Sequence, residues 1–264
     1  MDGGKIHLEE DMVRIILHGA NGRMGRIISG ICKEDPDTEI AAGIDTEDLG
    51  LDSYPVFTDI TKCDVPADAV IDFSTAKAVD GVLDYCVKRR LPLALCTTGL
   101  SEEQLKKVDE AGKKIAVLKS ANMSLGINTL FDILQKAAKV LAPAGFDIEI
   151  VEKHHNQKLD APSGTALALA DVIREALDQP YEYKYDRSKE RKKRDPSEIG
   201  ISSVRGGTIV GEHDVIFAGT DEVIEIRHTS YSRSVFGKGA VEAAKFLKGR
   251  TAGIYDMRKV VEAR

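Results

Sequence analysis

Val13-Arg-Ile-Ile-Leu-His18 leads directly into Gly19-Ala-Asn-Gly-Arg-Met-Gly25, and Met24, Ile27, Ile28 and Ile31 then recur at helical spacing up to Cys32. The first run suits a buried strand of a parallel sheet, and the recurrence suits a helix with one apolar face. A strand that turns through glycines into a helix opens a βαβ unit, which constrains the fold more than any other feature of this chain. Small residues at such a turn let the backbone approach a pyrophosphate, whose charge the free N–H groups and the positive helix end stabilise. The glycines stand at the first, fourth and seventh positions, so Asn21 takes the place of the usual second glycine. Gly19, Ala20, Asn21, Gly22, Arg23 and Met24 are therefore candidate dinucleotide contacts, Arg23 through a charge-assisted bond. A glycine turn without a ligand is the alternative.

Further strand-like runs follow at Glu39–Ile44, Ala69–Phe73, Leu93–Cys96 and Ile115–Leu118, with helical patterns at Ala76–Arg89 and Ser101–Ala111. Ser101-Glu-Glu-Gln104 reads as a capping box. This alternation predicts a Rossmann-type, doubly wound parallel α/β domain over residues 1–125, completed by 235–264. From Leu125 a long helix runs to Val140. Strands at Phe146–Lys153, Ser202–Val210, Val215–Phe217 and Val223–Thr229 follow, with a helix at Thr165–Leu177 between the first two. Residues 126–234 thus read as a smaller α+β domain with a mixed sheet. A last helix is expected over Val235–Lys248, packing through Phe236, Val241, Ala244 and Leu247.

Composition narrows the function. With 37 Lys and Arg against 43 Asp and Glu the formal net charge is −6, which argues against general nucleic-acid binding. No uninterrupted apolar stretch nears the roughly 18–20 residues that span a bilayer, and Met1–Asp11 lacks the apolar core of a signal peptide. Cys32, Cys63, Cys86 and Cys96 stand far apart without zinc-ligand spacing, so a reduced cytoplasmic protein is expected. Seven basic residues between Lys184 and Arg194 read as a solvated mobile loop or as one that closes over an anionic ligand.

Asp45 ends the second predicted strand, roughly where an acidic group bonds a ribose hydroxyl some 20 residues beyond such a turn. A carboxylate there repels a 2′-phosphate and Thr46 follows it, so NADH or dual use with NADPH is favoured. Strand ends at Asp72-Phe-Ser-Thr75, Cys96-Thr-Thr-Gly99 and Ser120-Ala-Asn-Met123 would converge on the same ligand.

Glu152-Lys-His-His-Asn-Gln-Lys-Leu-Asp-Ala-Pro-Ser-Gly-Thr165 holds the densest chemistry in the chain. Neighbours on a strand face opposite ways, so His154 and His155 do not converge on one metal, and no metal site is expected. Gly164 and Thr165 open a helix, a ready site for a carboxylate. Histidine offers a proton near neutral pH, and Lys158 a fixed charge or a second proton. Together they suggest reduction of a small anionic C=N or C=C substrate.

These residues resemble one family closely, the 4-hydroxy-tetrahydrodipicolinate (dihydrodipicolinate) reductases. The markers are Gly19–Gly25, Asp72-Phe-Ser74, Thr97-Thr-Gly99, Ala121-Asn-Met-Ser124, the block His154–Thr165, Val210-Gly-Glu-His213 and Gly239-Ala-Val241. The resemblance implies NAD(P)H-dependent reduction of a cyclic hydroxy-dicarboxylate with loss of water, in the diaminopimelate route to lysine. It implies His154 as proton donor, Lys158 as second proton-donating or charge-stabilising group, and His155, Gly164 and Thr165 as carboxylate contacts. Gly19–Met24, Asp45, Cys96, Thr97, Thr98, Ser120, Ala121, Asn122 and Met123 would hold the dinucleotide. It further implies a homotetramer assembled through the C-terminal sheet, and hinge closure between the domains. Cys96 stands where relatives commonly carry glycine, and the Lys184–Arg194 segment and Met1–Asp11 fall outside the pattern.

Overall fold

The computed structural model describes residues 12–264, so the segment Met1–Asp11 lies outside the described residues. The chain divides into two compact units, one running to Ser124 and joined by Ser234–Arg264, the other Leu125–Arg233.

In the first unit seven strands run parallel: β1 (Val13–His18), β2 (Thr38–Ile44), β3 (Val56–Phe57), β4 (Ala69–Asp72), β5 (Leu93–Leu95), β6 (Ala116–Lys119) and β12 (Gly253–Tyr255). Their order is β12-β6-β5-β4-β1-β2-β3. Helices α2 (Val79–Arg89) and α3 (Glu102–Gly112) bury Val82, Leu83 and Val108 against Ile16, Val70, Leu93 and Val117. On the opposite face α1 (Arg23–Glu34) and α6 (Ser234–Leu247) pack together, with Ile28, Val241, Ala244 and Leu247 fully buried. Both faces are covered, so the strands read as continuous apolar runs rather than alternating ones. Ser101 caps α3 with both bonds of the capping box in place. The strand order reverses between β1 and β4, which opens a crevice beyond their carboxyl ends.

In the second unit β7 (Asp147–His154), β8 (Glu182–Lys184), β9 (Glu198–Arg205), β10 (Gly211–Ala218) and β11 (Val223–Ser230) form a mixed sheet in the order β11-β10-β7-β9-β8. β10 is antiparallel to β7 and β11, while β9 is parallel to β7 and β8. Helices α4 (Leu125–Leu141) and α5 (Gly164–Glu175) cover one face, where Leu134, Leu169 and Ile173 meet Ile148, Ile150, Val215 and Phe217.

Two expectations need correction. The strand expected at Ser202–Val210 starts four residues earlier and ends at Arg205, because Gly207 (φ +50°) turns the chain back. The basic segment is not simply a solvated loop. Arg187 and Arg194 both donate to Glu149 Oε1, at 2.8 and 2.9 Å, and Arg194 also reaches Asp147 at 2.7 Å. Lys184 and Lys192 pair with Glu190. Acidic side chains of β7 and of the segment itself hold it down. The structure adds three small strands, β3, β8 and β12, and a last helix, α7 (Met257–Glu262), that sequence periodicity did not indicate.

Candidate active site

In the first unit the glycine turn is built by backbone pairing. Gly19 takes φ +84°, and a Cβ on it would lie 2.6 Å from the Phe73 carbonyl oxygen, so only glycine fits. Gly19 and Ala20 donate their N–H groups to Ile44 O at 2.8 and 3.2 Å, tying the turn to the end of β2. Asn21 N–H donates to Asp45 Oδ2 at 2.7 Å. The Asn21 side chain turns away from the helix axis: it donates to Glu47 O at 2.6 Å and accepts from Arg26, which in turn binds Asp52. Asn21 therefore stitches the turn to the loop after β2 in place of a second glycine.

Gly22 caps α1 without a side-chain bond, which leaves the first turn of the helix open to an anion. A cleft of about 670 Å³ opens here, lined among others by His18, Gly19, Asn21, Gly22, Asp45 and Ser74. Asp45, through Thr46 and Asn21, is held at its edge. Arg23 is exposed and Met24 half-buried. Cys96, Thr97, Thr98, Ser120, Ala121, Asn122 and Met123 follow β5 and β6 on the same edge of the sheet but do not line this cleft. Thr97 is buried with its hydroxyl unpartnered, and burial holds the Cys96 thiol well above its ordinary value. The uncapped helix start and the close glycines fit a bound dinucleotide.

A buried pair missing from the sequence-based candidates sits at the strand-order reversal. His18 Nδ1 and Asp72 Oδ1 are 2.7 Å apart, His18 ending β1 and Asp72 ending β4 in register beside it. Only Asp72-Phe-Ser74 had carried a signal.

In the second unit β7 alternates, so Glu152 and His154 face inward while Lys153 turns to Glu212 and Asp214 on the other side. Glu152 is completely buried, and His154 is 9% exposed. His154 Nδ1 lies 2.6 Å from Glu152 Oε2. Arg205 Nη1 and Nη2 donate to Glu152 Oε2 and Oε1 at 2.8 and 2.7 Å, and Ser163 N–H donates to Oε1 at 3.1 Å. Burial pushes the Glu152 carboxyl up, but Arg205, with help from Ser203, His154 and Ser163, outweighs it and holds the group down at about 2. Glu152 is thus an acceptor at neutral pH, so Nδ1 of His154 carries the proton of this bond and Nε2 is the free nitrogen. Facing Nε2 is Gly211, where a Cβ would approach within 3.1 Å.

Burial pushes His154 below the ordinary histidine value; Glu152 works against that push, and Lys158 and Arg205 add to it. The ring of His213 stands edge-on to His154, centroids 5.2 Å apart. Burial holds His213 at about 4, so it is neutral, and its Nε2 lies 3.1 Å from the Ser163 hydroxyl. Ser163 is also the N-cap of α5, accepting from Ala166 N–H. Beyond it Gly164 is exposed and Thr165 half-buried. Lys158 pairs with Asp160 at 2.8 Å, and His155 is half-buried. The structure therefore places His154, Lys158, Gly164 and Thr165 along one loop and helix start, and adds Glu152, Ser163, Arg205 and His213. Glu152 and His213 lay inside recognisable segments; Arg205 had no motif around it. Among the described residues no cluster of His, Cys, Asp and Glu has the make-up of a metal site.

Known proteins resemble this chain over nearly its whole length. Residues 13–123 match the family described as dihydrodipicolinate reductase, N-terminus, and residues 126–261 match its C-terminus. The chain is 53% identical to the 4-hydroxy-tetrahydrodipicolinate reductase of Caldanaerobacter subterraneus subsp. tengcongensis, over 95% of this chain and 99% of that one. It is 50% identical to that of Clostridium tetani, over 93% and 96% of the two chains. A solved dipicolinate-bound dihydrodipicolinate reductase from Paenisporosarcina sp. TG-14 superposes with a TM-score of 0.79 at 25% identity, covering 94% of this chain and 99% of the other. The chain belongs to the dihydrodipicolinate reductase family.

Proposed function

We propose that this enzyme reduces 4-hydroxy-tetrahydrodipicolinate to tetrahydrodipicolinate with loss of water, using NADH or NADPH, in the diaminopimelate route of lysine biosynthesis. The observation that carries the reading is a histidine held through Nδ1 by a buried, arginine-braced carboxylate that also accepts from Ser163 at the start of α5, with Nε2 facing Gly211. When bound, the nicotinamide supplies the hydride. His154 delivers the matching proton from Nε2, and Lys158 stabilises developing negative charge or gives a second proton. The N–H groups of Gly164 and Thr165 and the half-buried His155 hold the carboxylates of the substrate. A dicarboxylate fits the dipicolinate named for the neighbouring structure.

The open turn at Gly19–Met24, Asp45 and the segments at 96–98 and 120–123 hold the dinucleotide. Residues 1–125 with 235–264 make the dinucleotide-binding domain, and 126–234 the domain for substrate and assembly. The sheet face not covered by α4 and α5 exposes Val204, and the edge strand β11 exposes Val223 and Ile224, which supports assembly of a homotetramer through this sheet. Four free, buried cysteines support a reducing cytoplasmic location, and no helix among the described residues is long and apolar enough to cross a membrane.

The test follows the reduced-nicotinamide absorbance with NADH and NADPH in parallel, while a synthase makes the unstable substrate in the cuvette from pyruvate and aspartate semialdehyde. Substrate-dependent oxidation is expected with at least one cofactor. Protein that binds dinucleotide but oxidises neither would overturn the assignment.

A further inference from the structure

We propose that Glu152 and Arg205 are opposed positioning residues which act through His154: Glu152 fixes the ring and favours its protonated form, while Arg205 fixes Glu152 and limits that preference. The inference rests on His154 as the proton donor and goes beyond it by assigning what sets its strength as an acid.

The geometry is specific. Glu152 and His154 are two apart on β7 and share its inward face, so their side chains meet without any irregular backbone. Arg205 stands beside His154 in the parallel register of β9 and reaches back to Glu152 with both terminal nitrogens. Oε2 receives His154 Nδ1 and Arg205 Nη1; Oε1 receives Arg205 Nη2 and Ser163 N–H. Four donors on two oxygens leave the carboxylate no second orientation. Arg205 also donates to Asp160 O at 2.5 Å, so the same side chain anchors the loop that carries Lys158.

Charge then works in two directions. Around His154 stand Glu152 on its own strand, Arg205 from β9, Lys158 from the following loop and His213 from β10, backed by His228 on β11. Burial keeps His213 neutral. Without Glu152, the two cations face the imidazole unopposed and the protonated form, already disfavoured by burial, is disfavoured further. Without Arg205, the buried Glu152 charge has the imidazolium as its compensation, and the proton is held too firmly to be given up. The two residues together set how firmly the ring holds its proton.

The test is the alkaline limb of the kcat–pH profile, where turnover is lost as His154 deprotonates, read beside an NMR titration of the His154 ring. The His154→Asn variant identifies that signal by its absence. Glu152→Gln should move both readouts to lower pH, and Arg205→Gln should move both to higher pH, each by on the order of one pH unit. Glu152→Asp, which keeps the charge, should restore the limb towards its wild-type position, and it serves in place of Glu152→Gln if the glutamine variant does not fold. Opposite shifts cannot arise from a general loss of fold. Lower turnover in both variants with limb and ring titration at wild-type positions would overturn the proposal. Opposite ring titrations with a limb that ignores them would keep the charge arrangement and overturn His154 as the donor.

Discussion

Gly25 offers the sharpest test of the proposed dinucleotide site. It is buried in the first turn of α1, and a Cβ built on it lies 2.2 Å from Gly19 O and 2.4 Å from Ala20 O. Both obstacles are backbone and cannot rotate away. Side-chain carbons do not approach closer than about 3.0 Å, so in Gly25→Ala the helix start must retreat from the turn by about 0.8 Å or more. Overpacking of this kind costs about 1–3 kcal/mol, partly offset by the roughly 1 kcal/mol that alanine gains over glycine within a helix. Fold stability should therefore fall only modestly. Binding should suffer more, because N–H groups aimed at a pyrophosphate from about 2.9 Å would stand near 3.7 Å, outside hydrogen-bond range. Losing one such charge-assisted bond, worth about 1.5–3 kcal/mol, weakens NADH by about 10- to 150-fold. Fluorescence titration of NADH measures this. Gly30→Ala is the control, since a Cβ at exposed Gly30 in the same helix meets nothing within 4 Å. It should raise the melting temperature and leave NADH affinity unchanged. Affinity within about threefold of wild type in Gly25→Ala would refute the packing argument.

Three further outcomes are expected. His154→Ala and Lys158→Ala should each lower kcat by on the order of 10²–10⁴ with little change in nucleotide affinity, and near-wild-type turnover in both would sink their assigned roles. Asp45→Asn keeps an oxygen to accept from Asn21 N–H but removes the charge, so the ratio of NADPH to NADH affinity should rise by on the order of tenfold; equal effects on both cofactors in paired titrations would count against Asp45 as the ribose acceptor. Acidification should destabilise the fold in two windows. Burial lowers His213 from an ordinary 6.5 to about 4, so the unfolded chain takes up that proton first and stability is lost as pH falls between those values. Glu152, which Arg205 and its other donors hold at about 2 despite its burial, stabilises fully above an ordinary 4.5, and that contribution fades from there down to about 2. Urea midpoints measured against pH should show both windows, and His213→Gln should flatten the first; an unchanged slope there would remove His213 from the account.

Local chemistry was legible in the sequence where neighbours in the chain are also neighbours in space. The strand, glycine turn and helix at Val13–Glu34, the Ser101 capping box and the strand that becomes β7 all depend on residues a few positions apart. Features set by sheet register were not. Arg205 meets Glu152 across 53 positions, and nothing around Arg205 marks it as a partner. The strand that ends there was displaced because its buried start, Glu198-Ile-Gly-Ile201, takes its environment from β7 and β8 rather than from its own alternation. The basic segment looked solvated for the same reason: Glu149 and Asp147, which hold its arginines, lie 38 to 47 residues away. β3, β8 and β12, each two or three residues long, exist only because a partner strand lies beside them.

Each unit contains a histidine at the carboxyl end of a strand, joined through Nδ1 to a fully buried carboxylate, and the surroundings of the carboxylate separate their roles. Asp72 Oδ1 receives His18 and Ser74, Oδ2 has no partner, and among the described residues its only ion pair is with His18. Glu152 keeps a bidentate arginine and a backbone N–H whatever His154 does. His154 can therefore lose and regain a proton with its carboxylate still compensated, as a donor in repeated turnover must. The His18–Asp72 pair instead joins the ends of β1 and β4 beneath the glycine turn.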